Sequence, residues 1–118
     1  MTTFTGATTV ANKHQLARKY PGWFRDEHFV YIGRKKEGMH FGNPFSSGPV
    51  TLAEIKVDSR DASIEAFQLW LSGEAHTRVE SQRREWILEN MWRLRGKTLV
   101  CFCSPAACHG DLYSRMLD

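Results

Sequence analysis

Between Lys97 and Asp111 the chain reads KTLVCFCSPAACHGD, and all three of its cysteines fall there. Cys101 and Cys103 alternate along an apolar run. Cys108 follows a Ser-Pro-Ala-Ala loop, and His109 comes directly after it. A thiol at a helix start is acidified and becomes a better nucleophile, and an imidazole moves protons near neutral pH. Cys103 and Cys108 are therefore the candidate nucleophiles, and His109 the candidate acid or base. If a helix begins there, the backbone N–H groups of Cys108, His109 and Gly110 lack helical partners, which suits a phosphate or carboxylate. Gly110 lets a ligand approach the backbone closely. Asp111, in the first turn, either joins that ligand-binding set or serves the helix dipole.

Two other chemistries compete. Cys-x-Cys-x4-Cys-His supplies thiolates and an imidazole of the kind zinc takes. A structural zinc site draws on two such knuckles, and this chain has one, so His40, His14 or a carboxylate would have to complete the shell. No metal ligand is assigned and no cofactor is predicted, with zinc kept as an option. The plain alternative is packing: cysteine is often buried, and Cys101 inside a strand reads as core. The spacing of Cys103 and His109 is similar to the Cys-x5-Arg loop of thiol phosphatases and rhodaneses. The loop arginine is missing, which sets ordinary phosphatase chemistry aside.

These residues need elements to hold them. Ala7–Asn12 and His28–Gly33 read as strands from their β-branched and aromatic content. The segment between them reads as a short irregular or helical connection around Pro21-Gly22. Thr51–Val57 is ambiguous between a strand and a helical turn. Asp58-Ser59 caps a helix over 60–72 that ends at Gly73. A second helix is predicted over 81–94, with Trp86, Ile87, Met91 and Leu94 inward. Thr98–Cys103 is a strand apolar on both faces, as in a parallel sheet covered by helices. Cys108–Leu117 is the last helix, with Leu112, Tyr113, Met116 and Leu117 packing it inward. The class is α/β: a small, mainly parallel sheet with helices packed on it, a Rossmann-like three-layer domain over 7–118 behind a flexible 1–6. Ligands of such folds sit at the carboxyl ends of the strands, where the loop Ser104–Ala107 and Gly33-Arg34 are expected.

At 118 residues the chain has the size of one domain that can bury a core without metals or disulfides. No apolar run is long enough to span a bilayer, and the N-terminal residues lack the pattern of a signal peptide. With an odd number of cysteines, reduced thiols in the cytoplasm are the expected state. Net charge is +3, and residues 1–60 carry nine Lys/Arg against five Asp/Glu. The excess gathers at Arg34, Lys35 and Lys36, and it suits an anionic partner.

Tyr31-Ile32-Gly33-Arg34, Gly42-Asn43-Pro44-Phe45, Trp70-Leu71, Leu94-Arg95-Gly96-Lys97 and the Cys101–Asp111 run occur in that order. In this the chain resembles the domain-of-unknown-function family 4326, found in bacteria, archaea and many phages. The resemblance spans about residues 7–117. It matches Asn12 to the asparagine after the family's first strand and Arg60 to the arginine opening the middle helix. Phe102 stands where the family often has Trp. The family has no settled activity to carry over. The resemblance adds weight to the Gly42–Phe45 loop as a pocket floor. The expected ligand-binding set is then Asn12, Arg34, Gly42, Asn43, Gly110 and Asp111, around a nucleotide or other phosphate-bearing ligand that is bound and, if the domain is an enzyme, processed. The alternatives are a non-enzymatic phage accessory protein that binds a host protein or nucleic acid in the host cytoplasm, and a zinc-binding module. The aromatics least obviously committed to a core are Trp23, Phe24 and Trp92.

Overall fold

The computed structural model describes residues 6–36, 38–46, 55–102 and 108–118. Cys103, the loop Ser104–Ala107, most of the segment expected before Ile55, and residues 1–5 lie outside the described residues.

Three strands form the main sheet: β1 (Thr9–Asn12), β2 (Phe29–Tyr31) and β5 (Thr98–Cys101). Their order is β1-β5-β2, and both pairings are parallel. β5 is central because it can be buried on both faces: Leu99 and Val100 are 0% exposed. β3 (Phe45–Ser46) and β4 (Ile55–Lys56) make a separate parallel pair. Among the described residues, four α-helices complete the fold: α1 (Lys13–Lys19), α2 (Arg60–Ser72), α3 (Ser81–Asn90) and α4 (His109–Leu117). The α/β class and the small, mainly parallel sheet are both present.

α2 starts where its sequence says it should. The Ser59 hydroxyl accepts from the Ala62 N–H at 3.1 Å, and Gly73 ends the helix at φ +86°. Its buried positions are Ser63, Ala66, Phe67, Trp70 and Leu71, a helical stripe. Arg84, from α3, finishes the cap by donating to the carbonyls of Trp70 at 2.6 Å and Leu71 at 3.1 Å. α4 packs on β1 and β5, and α2 packs on α4 and β3. The largest core side chains, Trp70, Tyr113 and Phe67, meet there. The Tyr113 hydroxyl donates to the Phe41 carbonyl at 2.9 Å.

Several boundaries differ from expectation, among them the end of β5 at Cys101, with Phe102 already outside the strand. β1 begins at Thr9, because the Thr8 N–H and hydroxyl both turn to the Asp118 carboxylate. β2 pairs over only three residues, although Thr98 N–H to His28 carbonyl and Ile32 N–H to Val100 carbonyl extend its bonding at either end. α3 tightens into a 3-10 turn, Met91–Leu94, after the Asn90 amide bonds back to the Trp86 carbonyl. On α4, Leu112 and Tyr113 are buried, whereas Met116 is exposed.

Leu99→Ala, which leaves a cavity in the central strand, is expected to lower stability by about 2–5 kcal/mol in urea unfolding. Ser59→Ala, which removes only the α2 cap, is expected to cost about 1 kcal/mol.

Candidate functional site

β5 ends at Cys101, and Cys108 is the N-cap of α4. This brings the two Sγ atoms to 3.4 Å, both buried and both remaining as thiols. The hydrogen bond to Cys101, and then burial, push the Cys108 thiol pKa up. That is the reverse of the acidified thiol expected from a helix start. The apolar surroundings and the neighbouring sulfur outweigh the helix dipole and the Gly110 N–H.

His109 is buried as well. Its Nε2 lies 2.7 Å from the Ile32 carbonyl, which can only accept, so Nε2 carries the proton. The ring packs against Phe67 and Tyr113. Burial holds its pKa below the ordinary value, and the bond to Ile32 opposes this only in part. The imidazole is thus a neutral strut between the start of α4 and the exit of β2. A Cβ on Gly110 would fall 2.8 Å from Ile32 Cδ1 and 3.2 Å from Val10 Cγ2. On that side of Gly110 the space is taken by Ile32 and Val10. Asp111 Oδ2 accepts from the Cys108 N–H at 3.0 Å, the local helix-start role. A shallow depression of about 420 Å³ lies beside this corner, lined by Ile64, Cys108, Asp111, Ser114 and Arg115.

The exit of β2 carries a second cluster. Arg34 bonds both oxygens of Glu80, at 3.2 and 3.3 Å, and donates to the Asn43 carbonyl at 3.3 Å. Gly42 is required at this approach, since a Cβ would fall 2.6 Å from Arg34 Cγ and 2.9 Å from its backbone. The Asn43 amide donates to the Ser63 hydroxyl at 2.8 Å, and its Oδ1 accepts from the Phe45 N–H at 2.9 Å. The loop is pinned to α2 by these bonds. Asn12 sits at the end of β1. Its Oδ1 accepts from the N–H groups of His14 and Gln15, capping α1, and its Nδ2 donates to the Phe102 carbonyl at 3.2 Å.

The predicted residues therefore form two groups, Cys108–Asp111 and Arg34–Asn43, joined through Ile32-Gly33-Arg34, with Asn12 on the neighbouring strand. Cys103 lies outside the described residues. Among the described residues, no three His, Cys, Asp or Glu side chains gather where a metal ion could be held.

Arg83 escaped the sequence reading, which named His40 only as an option for completing a zinc shell and Phe102 only through the family resemblance. Arg83, on the polar pattern of α3, is only 5% exposed. Its Nε meets Glu80 at 2.8 Å, and its Nη1 donates to the carbonyls of His40 and Gly42. His40 is buried beside it, and its Nδ1 accepts from the Gly42 N–H. Burial, followed by the charges of Arg83 and Arg34, pushes its pKa down to about 4. The Glu80-x-x-Arg83 spacing was the one available signal, and it reads equally as a surface pair. At the carboxyl edge, Phe102 is 49% exposed and gathers His14, Tyr31 and Lys13 around its ring.

Fold and site together define a small α/β domain with a buried Cys-His corner and a basic, loop-pinned flank. The chain belongs to the family described as "Domain of unknown function (DUF4326)", whose family model matches residues 15–118. No curated protein and no solved structure matches the chain significantly.

Cys101 and Cys108 are expected to resist thiol labelling at pH 7 in the native protein and to react once it is unfolded. Mass spectrometry of labelled peptides reads this directly. Both His40 and His109 sit below the ordinary histidine value near 6.5. The unfolded chain therefore takes up protons first as pH falls. Stability is expected to drop from about pH 6.5 toward pH 4. His40→Asn, which keeps an acceptor for the Gly42 N–H, should flatten part of that slope in denaturation midpoints.

Proposed function

We propose that this domain binds a nucleotide or nucleotide-derived small molecule at the carboxyl edge of the β1-β5-β2 sheet. One observation carries the reading. Phe102, directly after the central strand, offers a half-exposed ring beside Tyr31 and His14, with the Lys13 ammonium 4.9 Å from its centre and 5.1 Å from that of Tyr31. Parallel α/β sheets take ligands at this edge. An aromatic face stacks on a base, and a lysine beside it attracts phosphate. Asn12 supports the platform by holding the Phe102 carbonyl. The protonated, buried Cys108 thiol favours holding the ligand over thiol attack by that residue. The setting that fits is the cytoplasm, of the host if the protein is phage-encoded. Among the described residues no helix is long and apolar enough to cross a membrane.

A second reading has its own observation. Phe24 and Trp92, 63% and 69% exposed, line one cleft of about 520 Å³ at the opposite, amino end of the strands, beside Arg93 and Lys97. Exposed aromatics of this kind anchor protein partners.

Calorimetric titration with nucleoside mono-, di- and triphosphates tests the first reading. Phe102→Ala is expected to weaken the best binder about 5- to 150-fold, the range of one base–aromatic stack. Equal affinity in wild type and variant would refute the platform. Retention of a host protein that is lost in Trp92→Ala but kept in Phe102→Ala would favour the second reading.

A further inference from the structure

We infer that the basic cavity between the Arg34–His40 segment and the start of α3 is a separate anion site that takes the clustered phosphates of a small ligand. It is an open depression of about 600 Å³, and its lining carries Arg34, Lys35, Lys36, Arg78 and Arg83 against one lining carboxylate, Glu80. Glu37, in the same stretch of sequence, lies outside the described residues; counting its charge still leaves an excess of three cations.

The wall is built rather than incidental. The Arg83 side chain is 6% exposed and lies over the Trp70 ring at 5.3 Å. Nε and Nη1 have acceptors, whereas Nη2 is buried with none among the described residues. A buried guanidinium N–H without an acceptor is costly, so this end of the Arg83 fork keeps unspent donor capacity beside the depression that Arg83 lines. Glu80 does not cap α3 with its side chain. It holds a left-handed φ of +40°, uncommon for a side-chain-bearing residue, and its carboxylate is engaged by Arg34 and Arg83. The first N–H groups of α3, at Ser81 and Gln82, therefore lack a side-chain cap at the edge of the same cavity. The low pKa of His40 reports, after burial, the positive field of Arg83 and Arg34.

Phosphate chemistry fits best. One carboxylate is already present and leaves most of the positive charge unbalanced. Guanidinium groups recognise phosphate oxygens in pairs, and lysines add charge at the rim. A nucleic-acid strand calls for a continuous basic groove.

Inorganic triphosphate is the probe, titrated calorimetrically into the full chain at low and moderate salt. Saturable 1:1 binding that weakens with salt is expected. Arg78→Ala and the double variant Lys35→Ala/Lys36→Ala, all exposed positions, should each reduce affinity about tenfold, corresponding to about 1.4 kcal/mol. The His40 imidazole, followed by NMR, should titrate at higher pH when triphosphate is bound. Phe102→Ala should leave triphosphate affinity unchanged. No binding at low salt, affinity indifferent to both basic variants, or binding of a 20-nucleotide single strand without binding of triphosphate would each overturn the proposal. Triphosphate binding with no added affinity for nucleotides would leave this site standing and remove the Phe102 platform.

Discussion

β5 is paired on both edges and covered on both faces, and the other elements are arranged to make that possible. A four-residue strand with no exposed surface at Leu99 and Val100 needs parallel neighbours on each side and helices above them. Parallel pairing places the exits of β1, β5 and β2 at one edge, so Asn12, Phe102 and the Ile32–Arg34 segment share it. The same burial explains the chemistry of the corner. Cys101, Cys108 and His109 are packed beside a strand from which water is excluded. The Cys108 thiol is therefore held protonated and the His109 imidazole neutral.

A second constraint operates at the start of α3. Burying Arg83 requires several acceptors, and the chain supplies Glu80 and the carbonyls of His40 and Gly42. Those bonds fix the loop that Arg34 and Asn43 fix from the other side. Burial opposes the charge on Glu80, but the hydrogen bonds from Arg83 and Arg34 outweigh it and hold its carboxyl below the usual range. The loop that the sequence marks with Gly42-Asn43-Pro44 is thus ordered largely by a charge network that no local pattern reveals.

The molecule consequently separates architecture from exposed chemistry. The cysteine and histidine side chains near α4 are held among core residues. Among the described residues, exposed aromatic and cationic side chains lie instead at both ends of the sheet and beside the α3 start. Gly110 illustrates the distinction. Its missing side chain accommodates Ile32 and Val10, which lets α4 seat against the sheet.

How much could be read in advance follows from the range of the interactions. The α2 cap at Ser59, its end at Gly73, the helical stripe of Phe67, Trp70 and Leu71, and the two-faced apolar strand at Leu99 and Val100 are written in neighbouring residues. Local sequence was enough to predict them, and with them the α/β class. The fate of polar residues was not local. Whether Cys108 is acidified or silenced depends on Cys101 across the corner. Whether Arg83 is solvated or buried depends on Trp70, Glu80 and the His40 and Gly42 carbonyls. The sequence alone determined the main strands and helices and where reactive side chains cluster, but not the short β3–β4 pair, whose Phe45–Ser46 strand falls in a stretch that reads as loop. Only the tertiary structure decided which of those side chains meet water, because charge and protonation respond to everything packed nearby, whatever its distance along the chain.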